Sequence, residues 1–331
     1  MKEKVRNLYD DSIIINGLDI SLMNRSYLEK LHASGVTAAN VTVTSTHNCR
    51  ETIDLIGRWL WRFAEFNDIL LQVEKYEDIY EAKKRGKVGI ILGFQNASPL
   101  DDNLDLLRIY KRLGVKIIQL TYMMQNLLGN GCLERRDEGL SSFGIDVVKE
   151  MNRLGILIDL SHVGPRTTME AIEASAKPVV FSHANCWEVY EHPRNKSTEE
   201  FKILAENGGV AAPNAFPSFV SENNPTIEDF LAHLDFLVDL MGIDHVGIGL
   251  DFITGQPQEF FMTPSGELGL GGKFPPGSTP PTWPWIFPKG IQGVSDLPNI
   301  VEGMLKRGYT EKDIKKVMGE NFLKLFKEVW S

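Results

Sequence analysis

Eight short apolar runs, each followed by a longer amphipathic segment, recur from residue 12 to about residue 250. Parallel strands need a crossover of a dozen or more residues between them, usually a helix, so this alternation reads as repeated βα units. The runs are 12–15, 38–43, 88–92, 117–121, 157–160, 179–182, 209–212 and 246–249, and they are continuous rather than alternating, the pattern of strands covered on both faces. A doubly wound open sheet would share the alternation. Eight, however, is the number that closes a barrel, so the expected fold class is α/β, a (β/α)8 TIM barrel.

Between the runs, helices are expected over 24–33 and 144–154, each stopped by a glycine suited to a left-handed cap, Gly35 and Gly155. The whole chain, 1–331, is expected to be one domain. Its texture changes at about 254–296, where the stretch 266–284 is crowded with Gly, Pro and Trp. Trp283, Trp285 and Phe287 are costly to leave in water, so this segment should pack over the barrel mouth or into a subunit interface. C-terminal helices are expected within 297–330, around 299–307 and 311–329, the second opened by Thr310.

Composition narrows the partners. A net charge of −9 and a pI near 5.4, with no clustered Lys or Arg, exclude a nucleic-acid partner. No apolar stretch reaches the roughly 18 residues of a membrane span, and the charged N-terminus has no apolar run behind it. Cys49, Cys132 and Cys186 show no metal-type CxxC spacing. A reducing, cytoplasmic location and no membrane association are therefore expected, and the aromatic-rich segment suggests a homo-oligomer.

In barrels of this kind, chemistry sits where strands hand over to their following helices. The polar residues at those positions are Asn16 to Asp19, His47, Gln95 with Asn96, Tyr122 with Gln125 and Asn126, His162, His183 with Asn185, Asn214, and Asp251. A single histidine there would be read as a polar core group. His162 ends IDLSH and His183 ends VVFSH, so two adjacent strands present imidazoles at equivalent heights, an arrangement suited to a divalent metal with an open position for water. Asp251, closing HVGIGLDF, is a candidate ligand or general base. Arg194 in EHPRNKS offers a fork for a carboxylate. His47 stands open between third ligand, substrate contact and helix-entry group. Cys132 has no local partner that would activate it and reads as a small buried residue.

The stretches MNRLGILIDLSHVGPRTTMEAIEASAKPVVFSHAN and HPRNKS, with HVGIGLDF later, resemble the renal (membrane) dipeptidase family, over about residues 12–329. That resemblance implies a (β/α)8 barrel of the metal-dependent hydrolase type with a binuclear zinc site. It assigns His162 and His183 to one metal, Asp251 to the aspartate after the eighth strand, and Arg194 to substrate contact. The chain departs from the family elsewhere. The family's His-x-Asp pair, in a DGHND motif, becomes Leu18 and Ile20 within NGLDI; sliding the match by one residue recovers Asp19 but puts Gly17 at the histidine. The family's bridging glutamate becomes Gln95, and its substrate-contacting histidine becomes Tyr122.

One tight divalent metal at most, with zinc as the first candidate, is therefore expected at His162 and His183. The expected function is a dipeptidase-like metallohydrolase that cleaves an amide bond of a small carboxylate-bearing molecule. Asp251 and Tyr122 would do the acid–base work, and Arg194, Asn126, Asn185 and Gln95 would contact substrate. The alternatives are a metal-poor lyase or isomerase using Asp251 and Tyr122, and a non-catalytic binding protein derived from a dipeptidase.

Overall fold

The computed structural model describes residues 2–257 and 284–331. The strands are β1 (Ile15–Asp19), β2 (Ala38–Thr44), β3 (Leu70–Gln72), β4 (Val88–Phe94), β5 (Val115–Gln119), β6 (Leu157–Asp159), β7 (Val180–Phe181) and β8 (Val210–Ala211). All pairs are parallel, in the order β1-β2-β4-β5-β6-β7-β8. The eighth expected run is the closing stave, although only isolated bridges mark it. Gly247 N–H donates to Ala211 O (2.9 Å), Gly17 N–H to Ile248 O (2.8 Å), and Asp251 N–H to Leu18 O (3.0 Å), so segment 246–252 joins β8 back to β1. The fold is a (β/α)8 barrel.

Two details differ from expectation. β3 is additional: it pairs with Val88–Ile90 of β4, while β5 takes the later part of β4, so this three-residue strand fills a gap at the barrel's lower edge. Its brevity left no periodic signal. β1 begins at Ile15, where the first expected run ends, because the polar residues Asn16 and Asp19 lie inside the barrel, fully buried, rather than in a loop.

Side chains two apart on a strand share a face, and the barrel interior is built in such steps. Ile15, Ala38, Ile91, Ile117, Leu157 and Val180 form an apolar lower layer closed from beneath by Phe322 and Phe326 of the last helix. One step higher come Gly17, Asn40, Gly93, Gln119, Asp159 and Gly249, small or polar. The glycines there are steric requirements: a Cβ on Gly249 would lie 1.7 Å from Ser182 O, and one on Gly93 2.1 Å from Asn40 Oδ1. Gly249→Ala is therefore expected to unfold the chain or open the barrel seam, read as loss of the cooperative thermal transition in circular dichroism; a transition within a degree of the parent would contradict this packing.

The helices at Arg25–Ala33 and Ser142–Leu154 are opened by side-chain caps from Asn24 and Ser141, and Gly35 and Gly155 follow with φ of 81° and 63°. The expected helix over 311–329 is broken: Glu311–Lys315 and Asn321–Trp330 flank a π turn, Lys316–Glu320. The cause is close packing, since a Cβ on Gly319 would sit 2.3 Å from Ile13 O, while Asn321 Nδ2 donates to Ile243 O and Val246 O, both at 2.8 Å. Lys2–Asp11 is a further helix, buried through Val5, Leu8 and Tyr9. Of the segment 254–296, residues 258–283, including Trp283, lie outside the described residues; Trp285 and Phe287 are buried against Phe216 and Phe252 (ring centroids 5.0 and 5.3 Å). Among the described residues no helix is long and apolar enough to cross a membrane.

Candidate active site at the barrel mouth

The third step of the interior, just past the strand ends, is polar and buried. His162 and His183 follow β6 and β7, and their Nε2 atoms face each other at 2.9 Å. Gln95, following β4, places its amide 3.2 Å from the same His183 Nε2. Burial, reinforced by the charge of Arg194, holds both imidazoles well below the usual histidine pKa, so they are neutral. The far side of His183 is anchored: Nδ1 lies 2.7 Å from Ser182 Oγ, and Ser182 Oγ donates to Asp159 Oδ2 at 2.5 Å. His162 Nδ1 instead faces the Met123 thioether at 3.4 Å, and the Tyr122 ring lies over His162 at 4.3 Å between centroids.

Asp251 stands at the end of the closing stave with φ of 56°, a left-handed conformation that a non-glycine residue adopts at a cost. Its carboxyl is buried and its pKa is pushed up to about 7, chiefly by desolvation, with the charges of Asp19 and Asp159 adding and that of Arg194 opposing. Asp19, also buried, is pushed up to about 6 by desolvation despite hydrogen bonds from Tyr27 Oη (2.7 Å) and Ser21 N (3.0 Å). Tyr122 is held protonated by burial and by the charge of Asp251.

Arg194 does something its sequence context did not announce. Nη1 donates to Ser161 O (2.5 Å) and Nη2 to His183 O (2.7 Å), so the guanidinium ties together the two Ser-His strand ends. Its Nε and Asp251 Oδ1 are buried without hydrogen-bond partners among the described residues, although the two charges act on each other's pKa. One donor and one acceptor of opposite charge are thus left for a polar ligand.

Three of the expected site residues have their polar atoms engaged elsewhere. His47 does not join the histidine pair; it bonds Thr44 Oγ1 at 3.0 Å, and among the described residues no group of three or more His, Cys, Asp or Glu side chains is placed to hold a metal. Asn126 spends its amide on Asn96 Oδ1 and Leu120 O and its carbonyl on Leu128 N and Gly129 N, stapling the loop after β5. Asn185 is likewise consumed by Asn214 and Phe219 O. A loop needs its backbone groups satisfied, and these amides do that. Sequence reasoning missed Asp159, Ser161 and Ser182, and the buried Lys196–Glu200 pair (2.9 Å) beside them. The signal was present in IDLSH, where an aspartate stands inside an apolar run.

The residues at the mouth offer donors that fit a divalent cation. Two neutral imidazoles with converging nitrogens form half of a coordination shell, and the Gln95 amide can turn its oxygen toward it, since the two amide orientations are nearly indistinguishable. Leu18 and Ile20, at the positions of the family's His-x-Asp pair, belong to the hydrophobic core, and Gln95 carries no charge with which to bridge two cations.

Barrel, mouth and paired histidines define a (β/α)8 barrel of the metal-dependent hydrolase type. The chain belongs to the membrane dipeptidase family (peptidase family M19), whose model matches residues 21–261 and 267–331. An uncharacterized dipeptidase of Schizosaccharomyces pombe is 31% identical over 86% of this chain, which covers 64% of that protein; a dipeptidase of Claviceps purpurea is 28% identical, covered to 59%. The chain therefore spans less than two thirds of the length of these curated relatives. Among solved structures, an amidohydrolase from Pseudomonas aeruginosa is 39% identical with a TM-score of 0.92, covering 98% of this chain and 99% of that one. A metallopeptidase from Rhodobacter sphaeroides, bound to a phosphinate mimic of L-Ala-D-Ala, shares the fold at 20% identity and a TM-score of 0.79, over 97% of this chain and all of its own.

Proposed function

We propose that this chain is a one-metal hydrolase that cleaves the amide bond of a small carboxylate-bearing, dipeptide-like substrate. The convergence of His162 Nε2 and His183 Nε2 at 2.9 Å carries this reading. Family membership supports amide hydrolysis, and the apolar Leu18 and Ile20 support one metal instead of two.

His162 and His183, with Gln95, would hold the ion; zinc is the first candidate because neutral imidazole is its preferred nitrogen ligand. When bound, it supplies a Lewis acid that polarises a carbonyl and makes water a better nucleophile. Asp251, its pKa near 7, is suited to take the proton of the attacking water and return it to the leaving amine. Tyr122, protonated at all physiological pH values, donates to the oxygen that gains charge. The unused Nε–H of Arg194 attracts the substrate carboxylate. The surrounding buried carbonyls and side chains exclude bulk water, which strengthens each of these contacts.

Elemental analysis of the purified protein tests this directly. About one divalent metal per chain is expected, falling to background in His162→Ala, together with turnover of dipeptides or related amides by the parent only. Absence of metal in the parent after zinc loading would sink the reading and leave acid–base chemistry at Asp251 and Tyr122.

A further inference from the structure

Large apolar side chains that stay exposed are gathered on one helix. Among the described residues, the helix after β2, Cys49–Glu65, carries Ile53, Leu60 and Trp61 at 38, 43 and 58% exposure, and no other helix carries more than one such residue. Its opposite side already faces the barrel through Thr52, Ile56 and Trp59. At 3.6 residues per turn, Ile53, Gly57, Leu60, Trp61 and Ala64 lie within about 60° of one line, so the helix has a second apolar stripe. Trp285 and Phe287, from the aromatic segment that suggested a homo-oligomer, are instead buried within this chain.

Gly57 marks the middle of the stripe. Its backbone is helical and a Cβ there would meet nothing within 4 Å, so neither the helix nor the barrel requires a glycine. Inside a helix, glycine is destabilising relative to alanine. A bare position between Ile53 and Trp61 does, however, let the backbone of a second helix come close.

The charges choose what that second helix is. Arg50, Asp54, Arg58 and Glu65 are exposed along one edge of the stripe. Among the described residues none of the four forms an ion pair, although i,i+4 pairs close elsewhere, as in Arg25–Glu29 and Arg166–Glu170. In a two-fold antiparallel pairing centred on Gly57, like edges face each other, and a residue above the centre on one copy meets one equally far below it on the other. At 1.5 Å per residue, Arg50 and Glu65 lie about 10 and 12 Å to either side of Gly57, and Asp54 and Arg58 about 4.5 and 1.5 Å. Arg50 therefore opposes Glu65 of the partner subunit and Asp54 opposes Arg58 of the partner subunit, each pair occurring twice. Ile53 and Trp61 of the partner subunit share a height in the same way. A parallel pairing would instead set the charged edge against the edge bearing Cys49 and Leu60.

We propose that this face of Cys49–Glu65 is a self-complementary dimer interface whose partner is a second copy of the chain, packed helix against antiparallel helix across Gly57. The helix descends from the β2 end at the mouth toward the barrel's base, so the two barrels lie side by side with their mouths at opposite ends. The contact covers neither mouth and is independent of the metal and of the reaction.

Sedimentation velocity of the full chain at micromolar concentrations should give a species of twice the 37.2 kDa chain mass. Trp61→Glu should leave a monomer with an unchanged thermal midpoint, since this side chain is exposed in the single chain. Arg50→Glu should weaken dimerisation about tenfold, because exposed pairs contribute little singly but each change is felt at two symmetry-related places. Arg50→Glu combined with Glu65→Arg in the same chain should restore the parent's affinity. A parent that stays monomeric overturns the proposal and leaves the stripe to a different protein. A dimer that survives Trp61→Glu also overturns it, by placing the contact on another face, and a double variant no tighter than Arg50→Glu rules out the antiparallel register. If Trp61→Glu does not fold, the exposed charge variants decide alone.

Discussion

Asp251→Asn is expected to abolish turnover and, at the same time, to make the folded chain more stable at neutral and alkaline pH. Losing a general base usually costs 10²–10⁴-fold in rate, and the asparagine amide can occupy the same buried volume. The stability gain follows from linkage. The carboxyl has a folded-state pKa of about 7 against 3.8 for the unperturbed group, so between these values the folded chain binds the proton more tightly than the unfolded one. Stability therefore falls as pH rises through this window, and above pH 7 the ionised carboxylate costs on the order of 4 kcal/mol. A neutral amide removes that cost. Unfolding midpoints at pH 5 and pH 8 should show a larger gain at pH 8, and the parent's rate should rise with pH through about 7 as the base ionises. A variant that loses activity with no gain at pH 8 would mean that Asp251 is paired in the folded chain by a group that neutralises it.

Arg194→Lys should be strongly destabilising although it conserves the charge. The guanidinium is 1% exposed and serves two carbonyls on two strand ends, Ser161 O and His183 O. An ammonium on a flexible stem is a point charge without a planar fork, and it can reach one of them. The other is left buried without a partner, and the charge-assisted bond to it is gone; together these cost about 2–4 kcal/mol. Since the lost bond also holds the His183 strand end beside His162, metal content should fall in parallel with the urea midpoint. Unchanged stability with a raised KM would instead show that the fork's main partner is the substrate carboxylate.

Much of this site can be traced to local sequence. Barrel strands stand side by side and parallel, so a residue just beyond an apolar run lies at the mouth whatever its distance along the chain. That is why His162, His183, Gln95 and Asp251, read as strand-end residues, come together in space. Asn126 and Asn185 also occupy mouth positions, but Asn126 gives its amide to Leu120 O of its own loop and Asn185 gives its amide to Asn214 O and Phe219 O in the segment after β8. Strand-end position says that a side chain is near the site. It does not say what has already claimed its hydrogen bonds.

His47 and Arg194 show the same limit from two sides. His47 also follows a strand, yet its ring turns back to Thr44. Arg194 lies outside any strand end, in the segment after His183, and reaches the centre of the site only because the chain folds back there: Lys196 N–H donates to Asn185 O and Trp187 N–H to Lys196 O.

The sequence alone determined the βα alternation, the number of staves, the glycine-stopped helices and the pair of Ser-His strand ends, because each depends on residues adjacent in the chain or repeated at a fixed period. Tertiary structure decided which polar groups are free. Asp159 commits both serine hydroxyls across two strands, Gly17 and Gly249 stay bare because the Ser182 carbonyl passes beside them, and Asp251 acquires its raised pKa from burial among groups from distant staves. Such properties are set by what surrounds a residue in three dimensions, and no stretch of neighbouring sequence carries that information.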